Sequence, residues 1–109
     1  MNSASKFQTL KAEGIGISML TCYDYPSAQI QDACGIDVVF VGDSLATNVL
    51  GYAHQNDLSL DEMLHHVRAV ARGIRSAYLL ADIPFASSET SATILDAALQ
   101  LHSDGVDGV

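Results

Sequence analysis

The sequence is short of positive charge: five Lys and Arg stand against thirteen Asp and Glu, a net charge of −8. The clustered basic footprint of a nucleic-acid binder is therefore missing, and no such partner is expected. Arg68, Arg72 and Arg75 fall at i, i+4, i+7 spacing, which reads as one solvated helix face, with a phosphate or anionic-tail contact as the minor reading. No apolar run approaches the roughly 18 residues needed to cross a bilayer. The segment from Met1 to Leu10 lacks a hydrophobic signal core, so neither secretion nor membrane insertion is expected. Cysteine is scarce: Cys22 and Cys34 lack Cys-x-x-Cys spacing and read as buried free thiols in a reducing cytoplasm. Charged residues make up only 17%, against 49% hydrophobic, which excludes a disordered chain. Residues 1–109 are long enough for one small domain with a modest core.

Phe7 and Leu10 on a polar background predict a short helix ending at Gly14. Ile15, Ile17 and Met19–Leu20 follow as a first strand. Pro26 suits the first turn of a helix carrying Ala28, Ile30 and Ala33, which Gly35 stops. Val38–Val41 is apolar, largely β-branched and too short for a helix, as expected of a strand covered on both faces. A polar loop, Ser44 to Leu58, comes next; long loops in compact domains are often functional. Ser59 and Glu62 form a capping box before Met63, Leu64, Val67, Val70, Ala71 and Ile74, which recur at helical period. Tyr78–Ala81 is the third strand. Thr90 caps a last helix with Ile94, Leu95, Ala98 and Leu101 inside, closed near Gly105, and Gly108–Val109 enters a fourth strand. This order, a helix and then β-α-β-α-β-α-β, predicts an α/β fold with a parallel sheet.

Ligands of such folds collect at the carboxyl ends of the strands, where Asp24, Asp43 and Asp82 all lie. Neighbouring parallel strands run about 4.8 Å apart, so Asp43 and Asp82 can address one ion directly or through its waters. Mg²⁺ suits this, because it takes oxygen ligands and often needs only one or two protein carboxylates. From spacing alone a second reading stands beside it: each aspartate merely caps the loop or helix that follows.

Four blocks in series bear on that choice. They are Thr21-Cys22-Tyr23-Asp24-Tyr25, Val41-Gly42-Asp43-Ser44-Leu45, Leu60-Asp61-Glu62-Met63 with His65-His66 and Val70-Ala71-Arg72-Gly73, and Ala81-Asp82-Ile83-Pro84-Phe85. Together they resemble the ketopantoate hydroxymethyltransferase family, in the family's order and from about Phe7 to Val109. The resemblance implies the N-terminal portion of a (β/α)8 TIM barrel: an N-terminal helix, three βα units and the start of a fourth strand. It implies hydroxymethyl transfer from 5,10-methylenetetrahydrofolate to 3-methyl-2-oxobutanoate, giving 2-dehydropantoate, with Mg²⁺ or a similar divalent ion, in a large homo-oligomer. By position, Asp43 and Asp82 match the family's metal-binding carboxylates, which also lie beside the oxo acid. Ser44 matches a residue that hydrogen-bonds the substrate carboxylate, and Tyr23 falls in a block that lines the pocket. The implied chemistry loses a C3 proton from the 2-oxo acid, and a chelated metal stabilises the resulting enolate.

Two departures qualify the resemblance. Ala46 stands where the family usually has Gly, which stiffens the loop beside the site. A whole barrel of this type needs about 250 residues. The family's substrate-binding lysine, third metal-associated carboxylate and general base are expected beyond Val109, so no catalytic base is assigned and the 109 residues alone are expected to form no product.

Other classes make different demands. Gly42-Asp43-Ser44-Leu45 also spells the nucleophile block of GDSL esterases, with Ser44 attacking, but a later Asp-x-x-His is lacking. A non-catalytic remnant, or a fragment needing a second chain to close its barrel, is the remaining alternative, because an open parallel sheet leaves unpaired edges. His65 and His66 are adjacent, about 100° apart on a helix, and read as packing at its edge. His54 in the long loop reads as exposed, with a ligand contact as the second reading; His102 reads as exposed and Cys22 as core.

Overall fold

The computed structural model describes residues 3–109; Met1 and Asn2, which the 1–109 domain expectation includes, lie outside the described residues. Among the described residues five helices and three strands follow in the order α1 (Ser5–Ala12), β1 (Met19–Thr21), α2 (Tyr25–Ala33), β2 (Val38–Val41), α3 (Leu45–Asn48), α4 (Leu60–Gly73), β3 (Tyr78–Ala81) and α5 (Ser91–Ser103), with 3-10 turns at Gln55–Asp57 and Phe85–Ser87. The sheet is parallel in the order β1-β2-β3. Val41 pairs with Ala81, so β2 and β3 end at one level, and Thr21 pairs with Phe40, so β1 ends one residue short of it. A further parallel bridge joins Leu80 to Gly108, where the fourth strand was expected. Among the described residues no helix is long and apolar enough to cross a membrane.

Local chemistry sets these boundaries. Gly14 at φ +70° and Gly35 at φ +78° close α1 and α2 in the left-handed conformation, which costs glycine no steric strain. In each case the following residue donates back into the helix, Ile15 N–H to the Leu10 carbonyl and Ile36 N–H to that of Gln31. Helix α4 opens on the full capping box, with Ser59 accepting from the Glu62 N–H while the Glu62 side chain accepts from the Ser59 N–H. It buries Met63, Leu64, Val67 and Val70, and packs against α2, β2 and α5. Residues Val39 and Val41 are fully buried and Phe40 is half-buried, as a strand covered on both faces requires.

Several expectations need correction. Ile15 and Ile17 precede β1 and are 52% and 45% exposed, because the closing turn of α1 claims the Ile15 N–H. The stretch after Ser44 is no plain loop. Leu45 and Ala46 are fully buried and Leu58 nearly so, and they pin α3 and the 3-10 turn to the core. Helix α5 turns Ala97 and Leu101 inward and leaves Ile94, Leu95 and Leu99 exposed, while Ala98 is half-buried. Ile30 on α2 is also exposed. Cys34 is exposed, so only Cys22 fits the buried-thiol reading, and both thiols are free. Arg75 lies beyond the end of α4, while Arg68 pairs with Asp104 at 2.8 Å.

A carboxylate pair at the strand ends

Asp82 directly follows β3, and its N–H donates to the Val41 carbonyl at 3.1 Å, extending the β2–β3 pairing by one residue. Its carboxylate reaches across to β2, where Oδ2 accepts from the Asp43 N–H at 2.9 Å. The sequence placed both aspartates at the strand ends, and the fold brings them together. Burial raises the Asp43 carboxyl above its ordinary 3.8; the Asp82 charge and a hydrogen bond between the side chains push the same way, and the Ser44 N–H partly offsets them. No cationic side chain is among the groups that set this shift.

Two acidic side chains held together at the ends of neighbouring strands fit a divalent cation. Their oxygen-only donor set suits a hard ion such as Mg²⁺, which completes its shell with water or ligand oxygens. Among the described residues no group of three or more His, Cys, Asp or Glu could hold a metal, so an ion at the two carboxylates would need water or ligand oxygens to complete its shell.

Ser44 begins α3, with its Oγ 2.7 Å from the Tyr23 hydroxyl. Tyr23 is half-buried, packed against the core, and its backbone carbonyl faces Nδ1 of His66 at 2.8 Å. Asp24 does not join the pair. It caps α2, its Oδ1 accepting from the Ser27 N–H at 2.9 Å, and hydrogen bonds to Ser27 hold its carboxyl below the usual range. For Asp24 the capping reading applies. Ala46 is fully buried within α3, where alanine favours helix more than glycine does.

His66 is the residue that sequence reasoning undervalued. His65 is exposed, but His66 turns to Tyr23, with the two imidazoles edge to face at 5.4 Å. The available signal was position: His66 lies three residues after Met63 and four before Val70, beside the buried stripe of α4. His54 and His102 are exposed, as expected.

Comparison with known proteins supplies the context. Residues 2–109 match the family model for ketopantoate hydroxymethyltransferase. The chain is similar to the 3-methyl-2-oxobutanoate hydroxymethyltransferase of Oceanobacillus iheyensis, 46% identical over 105 residues, covering 95% of this chain and 39% of that protein. The enzyme of the same name from Syntrophotalea carbinolica is 55% identical over 80 residues, covering 73% of this chain and 30% of that protein. The chain thus spans about two fifths or less of the length of these relatives. Among solved structures, phosphonopyruvate hydrolase complexed with oxalate and Mg²⁺ superposes with a TM-score of 0.78 at 17% identity, covering 97% of this chain and 37% of that one. The 2,3-dimethylmalate lyase of the PEP mutase/isocitrate lyase superfamily gives 0.69 at 19%, covering 97% and 38%. These structural likenesses carry the fold alone. The parallel sheet with its crossing helices is part of a (β/α)8 barrel.

Proposed function

The chain belongs to the ketopantoate hydroxymethyltransferase family, and from that premise we propose that it supplies the cation- and oxo-acid-binding part of a hydroxymethyl transfer. The reaction takes a one-carbon unit from 5,10-methylenetetrahydrofolate to 3-methyl-2-oxobutanoate and yields 2-dehydropantoate. Asp43 and Asp82 hold the Mg²⁺ or similar ion and border the oxo acid, and Ser44 hydrogen-bonds the substrate carboxylate. The observation that carries this reading is the Asp43 N–H bond to the Asp82 carboxylate, which fixes both acids on one rim. When bound, such an ion acts as a Lewis acid toward the negative charge that grows on the keto oxygen as the C3 proton leaves.

The residues of this chain bind and orient. Asp82 is steadied by the Asp43 N–H, and the Ser44 hydroxyl offers a donor to an anion. No side chain here is assigned as the base that removes the C3 proton. Met19 and Leu20 on edge strand β1 are 54% and 50% exposed, which supports further strands closing the barrel before turnover. A cytoplasmic homo-oligomer is part of the same proposal. Ser44 pairs with the Tyr23 hydroxyl rather than an imidazole, which favours an orienting hydroxyl over an esterase nucleophile.

Calorimetric titration of the chain with 3-methyl-2-oxobutanoate, with and without Mg²⁺, tests the reading. Binding that requires the ion and disappears in Asp82→Asn supports it. Binding indifferent to Mg²⁺, or no binding, would end it. With the folate added, the 109 residues alone are expected to give no 2-dehydropantoate.

A further inference from the structure

A line of contacts runs from α4 to the Ser44 hydroxyl. Nδ1 of His66 lies 2.8 Å from the Tyr23 carbonyl, and a carbonyl only accepts, so Nδ1 carries the proton. One residue earlier the Cys22 N–H donates to the Phe40 carbonyl at 2.8 Å. One residue later Asp24 caps α2. Tyr23 is thereby held from both sides at the junction of β1 and α2, and its hydroxyl meets Ser44 Oγ at 2.7 Å.

From these contacts we infer that Tyr23 and His66 are positioning residues for Ser44, an inference that rests on Ser44 binding the oxo-acid carboxylate as proposed above. A phenolic hydroxyl is a stronger donor than an aliphatic one, so Tyr23 donates to Ser44 Oγ and leaves the serine proton free for an anion. Accepting that bond also makes the serine a better donor, because hydrogen bonds in a chain polarise one another. The contact holds the Ser44 rotamer as well, which removes part of the ordering cost of ligand binding. His66 touches no ligand in this scheme. It holds the Tyr23 backbone, and through it the phenol, at the distance Ser44 needs.

The test is titration of the Mg²⁺-loaded 109-residue chain with 3-methyl-2-oxobutanoate, with Mg²⁺ affinity measured separately without the oxo acid. Tyr23→Phe is expected to weaken oxo-acid binding about tenfold and leave Mg²⁺ affinity unchanged. The double variant Tyr23→Phe with Ser44→Ala should bind no more weakly than Ser44→Ala alone, because the phenol acts only through the serine. His66→Ala should show the Tyr23→Phe loss. His66→Asn should restore most of the affinity, since the asparagine Nδ2 stands close to the place of the imidazole Nδ1. In the unliganded chain, ring nitrogen-15 spectra should show His66 protonated on Nδ1; this reading and Tyr23→Phe decide the matter should His66→Ala fail to fold. Unchanged oxo-acid binding in Tyr23→Phe, losses that simply add in the double variant, or a His66 protonated on Nε2 alone would overturn the inference while leaving Ser44 as a ligand group. An unaltered chain that binds no oxo acid removes the proposed site, and the inference with it.

Discussion

The backbone N–H of Asp43 donates to Oδ2 of Asp82 across 2.9 Å, tying the ends of β2 and β3 into one acidic rim. The bond partly satisfies Asp82 but leaves the Asp43 carboxyl half-buried against a like charge. Burial and the Asp82 charge together raise the Asp43 carboxyl above 3.8. Without a cation, ionised Asp43 therefore opposes folding.

Asp43→Asn follows from this strain. The folded state holds the Asp43 proton more tightly than the unfolded state does, so its unfavourable contribution is complete above the raised folded value and disappears as pH falls below the unfolded value. Asp43→Asn should raise the stability of the metal-free chain at pH 7 by less than about 1 kcal/mol, given the partial exposure. The gain should vanish at low pH, and cation binding should be lost. Urea unfolding across pH, with and without Mg²⁺, reads all three outcomes.

Asp37 carries the opposite sign. Its Oδ2 accepts from the Ser18 N–H at 2.9 Å and the Ser18 hydroxyl at 2.8 Å, clamping the start of β1 to β2. These bonds hold its carboxyl below 3.8, the Ser18 N–H contributing most. The depressed value stabilises the fold above the unfolded carboxyl range, and that stability is lost as pH falls through the folded value. Asp37→Ala should cost roughly 1 kcal/mol at pH 7, with solvent screening allowed for, and progressively less below about pH 4. Chemical denaturation at pH 7 and pH 3 measures the difference.

Gly73 sits where α4 crosses α2, and a Cβ there would stand 2.7 Å from Ala28 Cβ and 2.9 Å from the Tyr25 carbonyl oxygen. Backbone cannot retreat as a flexible side chain can. Gly73→Ala should destabilise by about 1–3 kcal/mol despite alanine's better helix propensity. A thermal melt with an unchanged or raised midpoint would show that the helices separate freely.

Much of this architecture is legible in the residues, and the exceptions have physical causes. The α4 helix was plain because Ser59 and Glu62 mark its start and its apolar residues keep one helical stripe. Strands β2 and β3 were plain because each is a short apolar run ending near an aspartate. Helix α5 is less legible because Ile94, Leu95, Ala97, Ala98, Leu99 and Leu101 spread over about half its circumference, wider than the face that Ala97 and Leu101 bury. Helix α3 is four residues long, too short to show a period. The sequence placed Asp43, Ser44 and Asp82 just past the strand ends, but the Asp43–Asp82 bond and the turn of His66 toward Tyr23 depend on how separate βα units pack.

Removing the cap of α4 separates fold stability from the rim. Ser59→Ala deletes the acceptor of the Glu62 N–H, at 3.1 Å, and should cost about 1 kcal/mol. Cation affinity at Asp43 and Asp82 should not change, because the cap lies on a different segment. A Mg²⁺ titration of a Ser59→Ala chain that remains folded checks this.

Mn²⁺ titration of the isotopically labelled chain, followed by amide line broadening, tests the shared acidic rim most directly. Broadening should begin at Asp43, Ser44 and Asp82 and be abolished there when both aspartates are replaced by asparagine. Broadening that starts elsewhere on this acidic surface, or that persists at Asp43 and Asp82 in the double variant, would contradict a cation site built by these two residues.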